Sequence, residues 1–300
     1  MHDLPFAQPG RFYRGNLHTH STRSDGTRPP PAVAAAYRER GYDFLVLSDH
    51  FLQPFGFPIT DVRASDTPDF ITLLGAELHA PRLESGALWH LLAVGLPADF
   101  APPTEEESGP ALAARAAAAG AFVGIAHPAW YTLTLEDALL VASAHAVEVY
   151  NESCAQENDR GDSWHFCDTL LARGRRLYVY AADDAHFVEE FPDAFGGWVN
   201  VRATELTPEA LLAALHAGHF YSSQGPEIHT IGVEDKRIVI SCSPCKTILV
   251  SGAQFQACAR RGTDLTEASF SLAEFARSYC RVTVIDADGK HAWSNPIWLD

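Results

Sequence analysis

The chain has 300 residues, 47% of them hydrophobic and 20% charged, and its formal net charge at pH 7 is −16. Its length predicts one large domain, alone or with a small second one, because domains usually span ~100–200 residues. The hydrophobic fraction is sufficient for a sizeable core and argues against general disorder. The excess of negative charge argues against long nucleic acid or an anionic membrane as a partner, because both require Lys and Arg concentrated on one face.

The chain also lacks the sequence signals of secretion or membrane insertion. Its first residues, "MHDLPFAQPG", contain no basic region followed by an apolar core, and no later stretch approaches the ~18 apolar residues of a membrane-spanning helix. The six cysteines show no framework spacing apart from "CSPC" at 242–245, which we interpret as thiols without a metal or redox role. The pattern predicts a reducing, cytoplasmic setting.

Strand-like and helix-like stretches alternate up to about residue 222. Buried strands are predicted at 43–50, 70–80, 88–95, 121–128, 146–151 and 176–186. Helices are predicted at 29–41, 111–119, 134–145 and 207–218, with prolines in the first turn of the first helix, Thr134 as an N-cap and Gly218 at the end of the last. This alternation predicts an α/β fold of parallel strands joined by helical crossovers, either a barrel or a doubly wound sheet.

The pattern changes after "YSSQGPE" at 221–227. Strand-like runs at 237–241, 246–252, 279–289 and 295–300 are separated by turn residues, and no convincing helix follows. We therefore predict two domains, an α/β domain at 1–225 and a small all-β domain at 226–300.

Metal-seeking side chains stand at or near the carboxyl ends of the predicted strands. In parallel α/β folds these ends meet on one face, where active sites are built. Side chains at positions i and i+2 of an extended segment point to the same side, so the spacing His18, His20 aims two donors at one place. The candidate ligands are His18, His20, Asp25, His50, Glu77, His90, His127, Asp184 and His186.

Nine donors are too many for one ion and fit two or three divalent ions, with a carboxylate as a bridge. Nitrogen and oxygen ligands without thiolate favour Zn, Mn or Fe(II) in a catalytic site. Five other histidines, His2, His165, His216, His229 and His291, are interpreted as structural. His79 and His145 are left as candidates for orienting the ligands.

Seven short motifs occur in order along the chain: "HTHSTRSDG", "VLSDH", "GAE", "WHLLAVG", "AHP", "VEVYN" and "DDAH". In this order they resemble the polymerase-and-histidinol-phosphatase (PHP) family of metal-dependent hydrolases over about residues 12–225. The resemblance implies a distorted (β/α)7 barrel, a two- or three-metal site and hydrolysis of phosphate esters. "AHPAW", "VEVYN" and the appended β domain are most similar to the subgroup with carbaryl-hydrolase-like members. Asp25 stands where other members of the family carry a histidine.

The leading hypothesis is a metal-dependent phosphoesterase that acts on a nucleotide or sugar phosphate through a hydroxide bridging two metal ions. We assign His20, Asp184 and His186 as catalytic residues, with metal ligation preferred to acid catalysis for the two histidines. Arg23, Trp130 and Asn151 are candidates for substrate binding, and Glu148 for orienting a ligand. The expected partner is an anionic small molecule, and composition leaves a homo-oligomer open.

Two other functions remain open at this stage. The first is hydrolysis of a carbamate, ester or amide by the same centre, and the second is a metal-binding module without catalytic activity. Arg23 in the pocket would favour a phosphate substrate. A cavity lined by Trp and Phe without arginine would favour a neutral ester.

Overall fold

The computed structural model describes residues 4–81, 83, 85–275 and 278–299 as a mixed α/β protein with one large sheet and six α-helices in those ranges. The strands before residue 227 are β1 (Arg11–Asn16), β2 (Phe44–Leu47), β3 (His50–Phe51), β4 (Ile71–Ala80), β5 (Trp89–Val94), β6 (Phe122–Ile125), β7 (Ala146–Asn151), β8 (Tyr178–Ala182), β9 (Trp198–Ala203) and β10 (Phe220–Ser223). The strands after residue 227 are β11 (Ile228–Glu234), β12 (Arg237–Gly252), β13 (Ala257–Ser271), β14 (Tyr279–Ile285), β15 (His291–Ser294) and β16 (Ile297–Trp298).

The helices lie between the first ten strands. They are α1 (Pro30–Glu39), α2 (Gly109–Ala118), α3 (Leu135–Leu140), α4 (Glu152–Asn158), α5 (Trp164–Ala172) and α6 (Pro208–Ala217). The predicted capping is confirmed: the Thr134 side chain accepts from the backbone N–H of Asp137, and Gly218 ends α6 with φ 73°. None of the helices in the described part of the chain is long and apolar enough to span a membrane.

The helices α4 and α5 are absent from the sequence prediction. Helix α4 has only seven residues, "ESCAQEN", and most of them are polar, so no apolar periodicity marks it. It begins where the Asn151 side chain accepts a hydrogen bond from the backbone N–H of Cys154. The capping asparagine is thus the one local signal that could have revealed this helix.

Strand order in the sheet is β11-β12-β14-β15-β10-β9-β1-β2-β4-β5-β6-β7-β8. The pairs β1–β2, β2–β4, β6–β7 and β7–β8 are parallel, as predicted, whereas β4–β5, β5–β6, β1–β9 and β9–β10 are antiparallel. The prediction of parallel strands throughout is therefore wrong. Between β4 and β5 the reason is the connection 81–88, which is too short for a helical crossover of about a dozen residues.

The named strands β1 and β8 do not pair with each other, but just past their ends an isolated parallel bridge joins Thr19 to Ala185, where His20 N–H donates to Ala185 O and Asp184 N–H donates to His18 O, both at 2.9 Å. Strand β8 pairs with β7, and on its other side its backbone meets the side chain of Ser222 on β10, which accepts from Ala181 N at 3.0 Å and donates to Val179 O at 3.2 Å. The α/β class is confirmed in the form of a mixed sheet. A closed seven-stranded barrel is not confirmed by this topology.

The strands after residue 227 have a hydrophobic cluster of their own. Buried side chains such as Ile238, Ile248 and Val282 form it, and Tyr221 contributes from β10. No α-helix occurs among the described residues of this region, which agrees with the predicted change of pattern. The division into 1–225 and 226–300 stays a prediction, because the pairing of β10 with β15 continues one sheet across it.

A charged contact joins α5 to β14. The Arg281 guanidinium donates to both oxygens of Asp168, at 3.0 and 2.8 Å, and the Tyr279 hydroxyl donates to the same carboxylate at 3.1 Å. Arg281 is 8% exposed and its guanidinium lies 3.8 Å from the centre of the Trp164 ring. Removal of the carboxylate would therefore leave a largely buried cation without its partner.

We expect Asp168→Asn to lower the free energy of unfolding by about 2 kcal/mol, the range of a hydrogen bond to a charged group. Urea unfolding followed by circular dichroism measures this change. The matched control is Glu136→Gln, which removes an exposed carboxylate 3.6 Å from Arg173 and should change stability by less than ~0.5 kcal/mol. Equal stability of the two variants would contradict the proposed role of Asp168.

Candidate metal centre

All nine predicted ligands lie at one place in the structure. The backbone explains this convergence: His18 and His20 follow β1, His50 is on β3, Glu77 on β4, His90 on β5, His127 follows β6, and Asp184 and His186 follow β8. The register of the strands also brings these residues together. His50 pairs with Glu77 across β3 and β4, and His79 pairs with His90 across β4 and β5. The term "donor cluster" is used below for the nine predicted residues.

Their ligand atoms form five groups, in each of which the atoms lie within 4.8 Å of one another. The groups are His20, Asp25, His50 and His186; His18, His127 and Asp184; His18, His20 and Glu77; His50, Glu77 and His79; and Glu77, His90 and His127. Each of the nine appears in at least one group, and the only additional member is His79. Several overlapping groups are the arrangement expected for more than one ion with shared ligands.

Glu77 is the centre of this arrangement. It is wholly buried, and its carboxylate lies 2.6 Å from His50 Nδ1, 2.7 Å from His90 Nδ1 and 3.1 Å from His127 Nε2. It belongs to three of the five groups. A carboxylate with two oxygens facing different histidines is able to bridge two ions.

Two buried atoms of the cluster, in addition to His127 Nδ1, make no hydrogen bond of regular geometry, although one of the two, Glu77 Oε2, lies 2.6 Å from His50 Nδ1. They are His18 Nε2 and Glu77 Oε2, which lie 3.6 Å apart, and the same His18 nitrogen lies 3.2 Å from Asp184 Oδ1. The other ring nitrogen of His18 is 3.1 Å from Glu148 Oε1 and donates to it, so in the neutral ring Nε2 presents a lone pair to two carboxylates. Buried polar atoms are normally satisfied. Electron pairs that face one another in this way fit a cation bound between them.

The electrostatics lead to the same conclusion. Burial lowers the pKa of His18, but the charges of Asp184 and Glu148 outweigh it and hold that pKa well above its ordinary value. Against the effect of burial, Glu77 and Asp25 raise the pKa of His50 to about 10. The carboxylates around His18 and His50 thus stabilise positive charge, whether a proton or a divalent ion carries it. At His20 the balance is reversed, because burial and the neighbouring His186 and His50 lower its pKa to about 4.

Glu148 and Asn151 form hydrogen bonds with the candidate metal ligands. Glu148 is wholly buried, accepts from the His18 ring through Oε1, and accepts from the backbone N–H of His127 at 2.7 Å through Oε2. The Asn151 side-chain amide donates to Glu148 at 3.0 Å and to Asp184 Oδ2 at 3.2 Å. Both residues therefore touch ligands rather than the open cavity. Such contacts fix the ring orientation and the tautomer of a ligating histidine.

His79 is a further residue of this kind. Its Nδ1 donates to the backbone carbonyl of Trp89 at 3.1 Å, which leaves Nε2 as an acceptor 2.8 Å from His50 Nδ1. This chain of hydrogen bonds turns the other nitrogen of His50 toward Asp25, 3.2 Å away. Of the two histidines left as candidates for orienting ligands, His79 therefore contacts one. His145 instead accepts from the backbone N–H of Val123.

Buried carboxylates outside the cluster shape its loops. Asp49 accepts from the hydroxyls of Ser21, Ser24 and Thr60, which fixes the loop after β1. Asp183 accepts from the three successive backbone N–H groups of 195–197. These contacts support the left-handed backbone of Asp184, whose φ of 56° is uncommon for a residue other than glycine. His127, at the end of β6, also has a positive φ, of 21°.

The cluster opens into a cavity of about 300 Å³. The floor and sides include donor-cluster residues, and the remaining lining residues are Trp130, Ser153, Cys154, Glu157, Val188, Phe191 and Asp193. Trp130 thus lines the cavity, and its predicted role in substrate binding stays a prediction. Asn151 and Arg23 are not among the lining residues, and Arg23 is exposed on the loop after β1. Substrate binding by either residue stays a prediction.

The other histidines and the "CSPC" motif lie elsewhere. His216 contacts the carbonyl of Gly120, His229 contacts Glu227, and the ring of His291 stacks on Trp293; His165 is exposed on α5, and His2 lies outside the described residues. Cys242 and Cys245 are buried on β12 with their sulfurs 3.7 Å apart. None of these described residues belongs to a donor group.

Comparison with known proteins supports the fold. No family model matches the chain, and no curated protein matches it. Among solved structures, the chain is similar to a two-domain protein from Bacteroides vulgatus that contains a predicted PHP-like metal-dependent phosphoesterase, with 14% identity, a TM-score of 0.55, and coverage of 96% of this chain and 97% of that one. The resemblance to PHP-like proteins is thereby confirmed as a resemblance of fold.

Two further similarities are weaker. An amidohydrolase from Chromobacterium violaceum, with bound sulfate and no metal, matches at 16% identity and a TM-score of 0.45, over 57% of this chain and 87% of that one. An inferred metal-dependent phosphoesterase from Bifidobacterium adolescentis matches at 16% identity and a TM-score of 0.42, over 67% and 96%. The narrower resemblance to carbaryl-hydrolase-like enzymes stays a prediction.

We expect Glu77→Gln to remove about one equivalent of bound metal per chain or more, because the substituted amide cannot serve as an anionic bridge. Elemental analysis after dialysis against Zn or Mn measures the content, and circular dichroism checks the fold. Glu136→Gln, which changes an exposed carboxylate, is the control. Unchanged stoichiometry in a folded Glu77→Gln variant would contradict the central position of Glu77.

Glu148→Gln should weaken metal binding by about 10–100-fold while the fold persists, the usual effect of losing a partner that orients a ligand. One carboxylate oxygen becomes an NH2 group, so one of the present donors, the His18 ring or the His127 N–H, then faces another donor. Competition with a chelating dye measures the affinity. An affinity equal to that of the parent would show that Glu148 is only a buried structural carboxylate.

Proposed function

We propose that the chain is a metal-dependent hydrolase that cleaves phosphate esters of small molecules with two or three divalent ions, Zn, Mn or Fe, bound by the donor cluster. The observation that carries this proposal is the convergence of nine donors, six of which line an open cavity, around the buried and unpaired His18 Nε2. The shared fold with a protein that contains a predicted PHP-like phosphoesterase adds support. A PHP-type barrel at 1–225, a β domain at 226–300 and a cytoplasmic setting belong to the same proposal.

Bound ions would supply Lewis acidity, which lowers the pKa of a water molecule and offsets the charge of phosphate oxygens. Hydrogen bonds within the chain determine which nitrogen atoms of the histidines are available to an ion. His186 Nδ1 donates to the backbone carbonyl of Asp184 at 2.7 Å, so its Nε2 is the nitrogen left for a ligand or a proton. His20 Nε2 lies 2.8 Å from Asp184 Oδ1. We assign both histidines as ligands first, because a nitrogen that binds a metal cannot also transfer a proton.

A second candidate function is hydrolysis of a neutral carbamate, ester or amide. The specific observation in its favour is the cavity lining, in which Trp130 and Phe191 are present and no described lysine or arginine takes part. A phosphate ester remains our first choice because bound ions themselves supply the positive charge that arginine would otherwise provide. The lining nevertheless argues against leaving groups that carry additional phosphates, such as the nucleoside monophosphate released from a nucleoside diphosphate.

The test is hydrolysis of p-nitrophenyl phosphate, bis(p-nitrophenyl) phosphate and p-nitrophenyl acetate by Mn- or Zn-loaded protein. We expect phosphoester turnover that falls about 100-fold or more in His20→Ala, which loses a ligand. His165→Ala is the matched control, since His165 is exposed and outside the donor cluster. Cleavage of the acetate alone would select the second function. Silence on all three by metal-loaded protein would favour a binding module without turnover.

A further inference from the structure

The long hairpin of β12 and β13 leaves one edge of the sheet uncovered. Among the described residues β13 pairs with β12 alone, so about half of its backbone N–H and C=O groups point away from any neighbouring strand. Neither proline nor lysine occurs in β13, although both commonly protect such edges from association. The edge is therefore able to accept a further strand.

Strand β13 consists of two regular segments around an irregular centre. Residues 257–261 pair with 247–251 of β12, and residues 267–271 pair with 237–241. Between these segments the register shifts, and Asp264 has a φ of 50°. A regular strand of another protein would not match this irregular centre. An antiparallel second copy of β13 matches it, because both regular segments then lie opposite regular segments when Asp264 is on the two-fold axis.

The charges of β13 also complement an antiparallel copy. Arg261 ends the first regular segment and Glu267 begins the second, and both side chains are exposed. Neither makes an ion pair with another described residue of the chain. With Asp264 on the axis, Arg261 of each copy lies opposite Glu267 of the other, which gives two ion pairs. In a parallel copy in register, each charge would instead face its own equivalent and repel it.

An exposed aromatic ring lies beside the same edge. Phe255, in the turn that precedes β13, is 90% exposed. In the antiparallel arrangement this turn continues past Ser271 of the second copy, where part of the ring would be covered. Its burial would add an apolar contribution to the contact, which the ion pairs by themselves do not supply.

We propose that β13 is a self-association surface, and that two copies of the chain join by antiparallel pairing of their β13 edges about a two-fold axis at Asp264. The same residues take part on both sides of such a contact. The contact lies outside the donor cluster, so it does not depend on the proposed function. It specifies the homo-oligomer that composition leaves open.

The first measurement is the association state of the full-length protein by sedimentation equilibrium. We expect a dimer in equilibrium with monomer, and dimerisation about tenfold or more weaker in Arg261→Glu and in Glu267→Arg, because each change brings like charges together twice. Arg38→Glu and Glu39→Arg are the matched controls, since they change charge equally at the exposed end of α1 and should leave the dissociation constant unchanged. A parent chain that stays monomeric at about 0.1 mM would overturn the proposal and favour a strand of another protein as the occupant.

A mixture of the two single variants separates a direct contact from an effect on folding. Arg261→Glu makes both positions acidic and Glu267→Arg makes both basic, so only the mixed dimer has two attractive pairs. We expect this mixed dimer to form about as tightly as the parent dimer, and the double variant Arg261→Glu/Glu267→Arg to regain self-association. Circular dichroism checks the fold of each variant. Mixed chains that stay monomeric would overturn the proposal, as would a parent dimer that neither single variant weakens.

The position of the axis is tested by a change that should strengthen the dimer. The two copies of Asp264 would face each other at the axis, so Asp264→Asn should tighten dimerisation about twofold or more, because like charges directly opposite each other are destabilising. Asparagine also tolerates the positive φ of this residue. Glu39→Gln is the control with the same loss of charge, and Phe255→Ser should weaken dimerisation severalfold. Unchanged or weaker dimerisation of Asp264→Asn would contradict the proposed pairing.

Discussion

The structure depends on one electrostatic constraint, the burial of several carboxylates beside several histidines. Glu77 and Glu148 have no exposed surface, and Asp184 is nearly as buried. Charges of this kind are costly in a protein interior unless partners compensate them. Imidazole rings provide part of the compensation, including His50 Nδ1 at 2.6 Å from Glu77 Oε2. His18 Nε2, which lies near Glu77 and Asp184 without a hydrogen bond, marks where it is incomplete. A cation bound there would complete it and would link stability and chemistry at the same atoms.

Two features of the fold position the candidate metal ligands. The strands bring the ligands to one end of the sheet, and a set of buried hydrogen bonds then fixes their orientation. Glu148, Asn151 and His79 each contact a ligand directly, whereas Asp49 and Asp183 hold the loops from which ligands project. Donors on short loops after strands are precise only when such supports are present.

The candidate site could be predicted from the sequence to an unusual degree, because its residues follow strands and the strands were marked by short apolar runs. His18 and His20 needed only the alternation of side chains in an extended segment. His79 could not be assigned in the same way, because an alternating histidine on a buried strand is equally consistent with a core position. Its contact with His50 depends on the pairing of two strands that are distant in sequence.

The sequence by itself determined the ligand types, their order and their position at strand ends, because local periodicity and capping encode these features. The tertiary structure decided the antiparallel pairs of β4, β5 and β6, the bridge between the segments that follow β1 and β8, and the short helix α4. It also decided which side chains face the cavity, placing Trp130 and Glu157 there and leaving Arg23 outside. The physical reason is that strand pairing and cavity walls are formed by contacts between distant segments, which no local pattern specifies.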